Sequence, residues 1–136
     1  VMGTGWQVRG KDTTSGTGGR SLVPGTIAES LAARFLENKG LRILARNHRC
    51  AGGEIDLVCR DRDAIVFVEV RLRRNADYGG AAASITKSKQ RRIALAAEHY
   101  LSAHGGWEAD CRFDCILLDG LSDSAIEWIR DAFPAA

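Results

Sequence analysis

The chain has 136 residues, of which 45% are hydrophobic and 26% charged, and carries a formal net charge of +2. This is enough for one domain with a core of its own, and it excludes a disordered or collagen-like chain or one that needs disulfides to fold. The apolar runs, among them residues 64–68 and 115–118, fall far short of the roughly 20 residues that span a bilayer, and no basic-then-apolar leader opens the chain, so a cytoplasmic protein with no membrane partner is expected.

Residues 1–23 hold glycines at 3, 5, 10, 16, 18 and 19 among threonines and serine, without an apolar period. They read as a flexible arm ahead of a domain at 24–136. A helix is predicted from Pro24 to just before Gly40, with Thr26 as N-cap, Glu29 closing a capping box, and Ile27, Leu31 and Phe35 as the apolar stripe. Glu29 also borders the side that carries Ala32, Ala33 and Leu36, so the sequence leaves it two roles, cap or site. Next, Leu41, Ile43 and Ala45 alternate with Arg42, Arg46 and, further on, His48, which predicts a strand. After a turn at 50–53 come strands at 54–59 and 64–72, joined by a hairpin at 61–63. The third strand is apolar on both faces, as expected in the middle of a covered sheet, with Glu69 as the exception. A Gly/Ala loop around 75–84, with Gly79 and Gly80, leads to a helix capped by Thr86 and running to about Ala103. Its inner face is expected at Ile93, Ala97, Tyr100 and Leu101. A strand at 111–118 and a last strand or short helix at 125–133 complete an α/β domain of order α-β-β-β-α-β-β.

The four cysteines, Cys50, Cys59, Cys111 and Cys115, lack the CxxC spacing of a zinc site and read as reduced thiols. Charge is more informative. Between Arg71 and Arg92 stand Arg71, Arg73, Arg74, Lys87, Lys89, Arg91 and Arg92 against Asp77, a local excess of +6 that leaves the remainder at −4. Such polarity suits a polyanion on one face with acids available on another, although a solvated charged surface gives the same count. Lys87, Lys89, Arg91 and Arg92 also crowd the first turns of a helix, where the macrodipole opposes positive charge and favours a docked phosphate.

Glu54 and Asp56 share one face of the second strand, and Glu69 and Arg71 share one face of the third. If the hairpin pairs these strands, Asp56 and Glu69 approach each other. Two carboxylates with waters suit Mg²⁺ or Mn²⁺, which can polarise a phosphodiester. The alternative for Glu69 is an ion pair with Arg71 or Arg73, since a buried acid needs either a cation or a metal. For Glu54 and Asp56 it is an exposed strand face.

The runs GEIDLV at 53–58 and FVEVR at 67–71 resemble the Asp, then Glu-x-Lys signature of the restriction-endonuclease-like superfamily, which includes Holliday-junction resolvases and tRNA-splicing endonucleases. More closely, the chain resembles the YraN family of bacterial proteins. That likeness extends through ILARNHR at 43–49, Lys89 with Arg92, RFD at 112–114 and DAF at 131–133, and so covers nearly all of 24–133. The resemblance implies a restriction-endonuclease-like mixed β-sheet flanked by helices, with Asp56 and Glu69 as metal ligands and Glu29 as a third acid. It implies action on nucleic acid, structured or branched DNA ahead of RNA, with Arg73, Arg74, Lys87, Lys89, Arg91 and Arg92 on the phosphates and a homodimer as one arrangement. The motif lysine is Arg71 here. A guanidinium can stabilise negative charge but stays protonated, so Lys87 or Lys89 becomes a candidate for the missing amine, and a binding module without turnover and a scaffold built on ion pairs stay open beside the nuclease.

Overall fold

The computed structural model describes residues 24–72, 85–119 and 126–134. Helix α1 (Pro24–Asn38) is followed by β1 (Arg42–Cys50), β2 (Gly53–Asp61) and β3 (Ala64–Leu72), then by α2 (Lys87–His104), β4 (Asp110–Leu118) and β5 (Ile126–Phe133). The order is the expected one, with the last element a strand. The arm at 1–23, the glycines 79 and 80, and Arg73 and Arg74 lie outside the described residues.

The strands form one sheet in the order β1-β2-β3-β4-β5, antiparallel throughout except for the parallel β3–β4 pair that α2 connects. Helices cover both faces. On one, Leu57, Cys59, Val66, Val68, Ile116 and Leu118 meet Ala28, Ala32, Ala33 and Leu36 of α1. On the other, Ile55, Val58, Ile65, Phe67, Phe113, Cys115 and Leu117 meet Ile93, Ala96, Ala97, Tyr100 and Leu101 of α2. A central strand with helices on both sides must be apolar on both sides, and this accounts for the unbroken run in β3.

Helix α1 departs from expectation in two respects. It is already helical at Pro24, which places Thr26 inside the first turn instead of at the cap, and Glu29 points to the sheet and makes no capping box. Its buried stripe is the small-residue one, Ala28, Ala32, Ala33 and Leu36, while Leu31 and Phe35 flank it half-buried. Alanines let the helix axis approach the sheet closely, and the larger side chains then fit only beside the contact; Phe35 meets Trp128 edge-on at 6.3 Å. The helix ends in a Schellman turn, with Leu41 N–H donating to Leu36 O at 3.0 Å and Gly40 N–H to Glu37 O at 2.9 Å, Gly40 being at φ 99.

Helix α2 is capped as predicted, Thr86 Oγ accepting from Lys89 N–H at 3.0 Å. It sits hard against β2, where any β-carbon on Gly53 would collide with the Arg92 carbonyl oxygen. Glycine at this position therefore fixes the height of the helix over the sheet.

Two strands break alternation at the same level. Asn47 adopts the left-handed region (φ 49), and across it Ala45 and His48 both face α2. Opposite, Ile55 and Val58 both face α2. His48, grouped in sequence with the outward arginines, is consequently buried against His99 and Tyr100, its Nε2 lying 3.0 Å from His99 Nδ1. The irregularity lies next to Asp56, as such breaks often do beside a site.

Away from this region the sheet is pinned by Asp114, which is fully buried on β4. Its carboxylate accepts from Arg112 Nε at 3.0 and 3.2 Å, Trp128 Nε1 at 2.9 Å and Asp131 N–H at 3.0 Å, while Arg112 also donates to Asp61 at 2.9 Å. Asp131 is at φ 54, where the β4–β5 register shifts, so the acid stabilises an irregular edge strand. Removing one partner of a buried ion pair costs far more than the pair is worth. Asp114→Ala is therefore expected to lower the free energy of unfolding by about 3–5 kcal/mol in urea titration; a loss under about 1 kcal/mol contradicts this account of β5.

Candidate functional site

The β2–β3 ladder runs from Asp61–Ala64 up to Leu57–Val68 and then stops. Where the next pair would form, Asp56 Oδ2 accepts a hydrogen bond from the Val70 backbone N–H at 2.8 Å. A side chain has replaced a strand carbonyl, so its carboxyl lies in the split between the two strands, open to both faces. Glu69 reaches it from the α2 side and Glu29 from α1, each in hydrogen-bond contact with Asp56. Asn47, whose left-handed backbone is tolerable for this residue type, bonds the Glu29 carboxyl, and the Arg46 charge acts on it as well. Lys89 Nζ stands 3.5 Å from Glu69 Oε2, with the carboxyl side chain only 7% exposed.

Three acids in one small volume oppose one another's ionisation. Burial first, and then the Asp56 charge, push Glu69 up to about 8, against the pull of Lys89 and Arg71. The same two causes push Glu29 up to about 7. Asp56 is also raised by burial, but the Val70 N–H and Lys89 favour its charged form. Asp56 is thus the acceptor at the centre, and both glutamates give up their protons above the usual carboxylate range.

This donor set fits a hard dication. It consists of carboxyl oxygens only and is short of positive charge. Among the described residues no group of three or more His, Cys, Asp or Glu side chains is placed so that it could hold a metal ion; the site offers the pair Asp56 and Glu69, and Mg²⁺ is commonly held by one or two carboxylates while keeping several waters.

Of the residues singled out in sequence, Glu29, Asp56 and Glu69 come together, and the charge of Arg71 acts on Glu69 from two positions along the same strand. Glu54 pairs with Arg49 at 3.6 Å, and its charge also acts on Asp56 from two positions along the strand. Of the cations on α2, Lys89 turns inward while Lys87, Arg91 and Arg92 are exposed. Sequence reasoning missed Asn47 and the Val70 N–H. An asparagine within a strand otherwise rich in arginine and aliphatic residues was a weak signal for the first; a backbone donor leaves no signal at all. None of the four cysteines takes part, and none is in a disulfide.

The family described as "Uncharacterised protein family UPF0102" matches residues 28–118. A UPF0102 protein of Dechloromonas aromatica is 54% identical over 129 residues, covering 95% of this chain and 98% of the relative. One from Methylobacillus flagellatus is 54% identical over 82% of the chain and 96% of its own length, and one from Nitrosomonas europaea 51% identical over 80% and 92%.

The acid cluster has a measurable consequence for pH dependence. A carboxyl that binds its proton more tightly folded than unfolded contributes stability that is complete below its ordinary value of 4.5 and is lost as pH rises through the folded value, here about 7 for Glu29 and about 8 for Glu69. In EDTA, the chain is expected to lose on the order of 2 kcal/mol between about pH 5 and about pH 9, and Glu69→Gln to flatten that slope by roughly half, leaving the part due to Glu29. Parallel slopes for wild type and variant in thermal melts would show that Glu69 does not hold the proton.

Proposed function

We propose that this chain, which belongs to the UPF0102 family, is a divalent-metal-dependent phosphodiesterase acting on the backbone of nucleic acid. The reading rests on one observation: the Asp56 carboxyl occupies the split between β2 and β3, with Glu69 and Glu29 brought to it from opposite faces of the sheet. Lys89 is ion-paired with one of the three acids, and with only the charges of Arg46 and Arg71 acting beside it the cluster stays short of positive charge.

Asp56 and Glu69 are the residues that would hold Mg²⁺ or Mn²⁺, with Glu29 completing the negative charge around them. Bound there, such an ion supplies Lewis-acid polarisation of a phosphodiester and acidifies water. The remaining tasks fall to the chain's own groups. The Val70 N–H orients Asp56, and Asn47 orients Glu29. Lys89 and Arg71 place positive charge beside the acids, where negative charge develops on the phosphate oxygens in the transition state. Lys87, Arg91 and Arg92 are exposed on the first turns of α2 and can contact flanking phosphates, which fixes register without reading sequence. Structured DNA is the substrate to assay first.

A second reading, a nucleic-acid-binding module without turnover, is favoured by Arg71 alone, which cannot exchange a proton at neutral pH as a lysine can. Both are tested by incubating the wild type, Asp56→Asn, Glu69→Gln and Arg71→Lys with Mn²⁺ and duplex, junction and single-stranded DNA. The nuclease reading expects cleavage that Asp56→Asn and Glu69→Gln each reduce at least ~100-fold, a loss of about 3 kcal/mol in transition-state stabilisation. Cleavage confined to Arg71→Lys identifies the binding module. Activity that survives both acid substitutions overturns the proposal.

A further inference from the structure

In the metal-free chain Lys89 is held by Glu69. Its ammonium is 3.5 Å from Glu69 Oε2 and only partly exposed, so the lysine most deeply placed in the site is engaged with an acid. Its position on the helix is electrostatically poor. Lys89 lies in the first turn of α2, three residues after the cap Thr86, and that turn contains no acidic residue to offset the dipole. A cation in this place is stabilised by Glu69, and the backbone N–H groups beside it are oriented for an anion. Gly53 seats α2 closely on β2, so the helix cannot carry the lysine away; only its four-carbon stem can move.

Resting on the metal-dependent reading above, we infer that Lys89 is a stand-in cation: a divalent ion at Asp56 and Glu69 displaces it, and the released ammonium becomes a phosphate ligand at the start of α2. The metal-free protein then keeps the lysine out of reach of nucleic acid, and the ion makes it available. Ion and nucleic acid consequently bind with positive coupling, reciprocal in sign and size. The competition has a second effect. With the lysine gone, the ion no longer has to displace a positive charge from its own ligand.

The measurement pairs two titrations of the full chain, with Lys89→Gln against Arg34→Gln, an exposed charge on α1, as control. In calorimetry with Mn²⁺ alone, Lys89→Gln is expected to bind the ion roughly tenfold more tightly than wild type, as removal of a unit charge a few ångströms from the site implies, while Arg34→Gln matches wild type. In fluorescence anisotropy with a phosphorothioate duplex, Lys89→Gln is expected to match wild type within about twofold in EDTA and to bind about tenfold more weakly in Ca²⁺, with a salt slope shallower by about 1 in Ca²⁺ only. An equal loss in EDTA and Ca²⁺ overturns the inference, because the lysine then contacts phosphate with or without the ion. So does unchanged Mn²⁺ affinity in Lys89→Gln. If wild type binds no Mn²⁺ while Asp56→Asn leaves duplex binding intact, the metal-dependent reading itself fails, an outcome separate from the other two.

Discussion

The architecture of the site depends on a single hydrogen bond, from the Val70 backbone N–H to the Asp56 carboxylate. Antiparallel strands pair through their backbones until something intervenes, and here a side chain takes the place of the next carbonyl. Because the carboxyl then lies within the sheet instead of on one face, groups from both helical layers can reach it. Glu69 comes from the α2 side, Glu29 from α1, and Asn47 leaves regular strand geometry to hold Glu29 in place. The close seating of α2 on Gly53 sets where Lys89 stands relative to these acids.

Two groups of buried acid in this fold illustrate opposite uses of the same chemistry. Asp114 is surrounded by donors from three residues and locks β5 onto β4. The cluster at Asp56 is left short of positive charge, so its glutamates retain protons well above the usual carboxylate range. A satisfied acid stabilises the native state, whereas an unsatisfied cluster weakens it as pH rises and stays receptive to an added cation. Neither arrangement leaves an orphan, since among the described residues no buried side-chain polar atom lacks a partner.

Much of this was legible along the chain. The order of elements, the hairpin at 61–63, the central position of β3 and the Thr86 cap follow from periodicity, turn residues and cap chemistry, all of which act over a few residues. Glu69 drew attention because an acid inside an apolar strand must find a partner. The expectations that failed depended on contacts made elsewhere in the fold. Thr26 and Glu29 fit a capping box locally, but the helix begins earlier and the sheet claims the glutamate. His48 alternated with arginines, but the left-handed backbone at Asn47 turned it inward.

The sequence by itself determined that an acid would interrupt each of two adjacent strands and that basic residues would gather at the start of one helix, because alternation and spacing are properties of the local chain. Only the tertiary structure decided which of those charges meet. Lys89 and Lys87 differ by two positions on the same helix turn, yet one pairs with Glu69 and the other is exposed. The difference is set by the rotation and height of α2 over β2 and β3, which are fixed by side-chain packing between residues far apart in the chain.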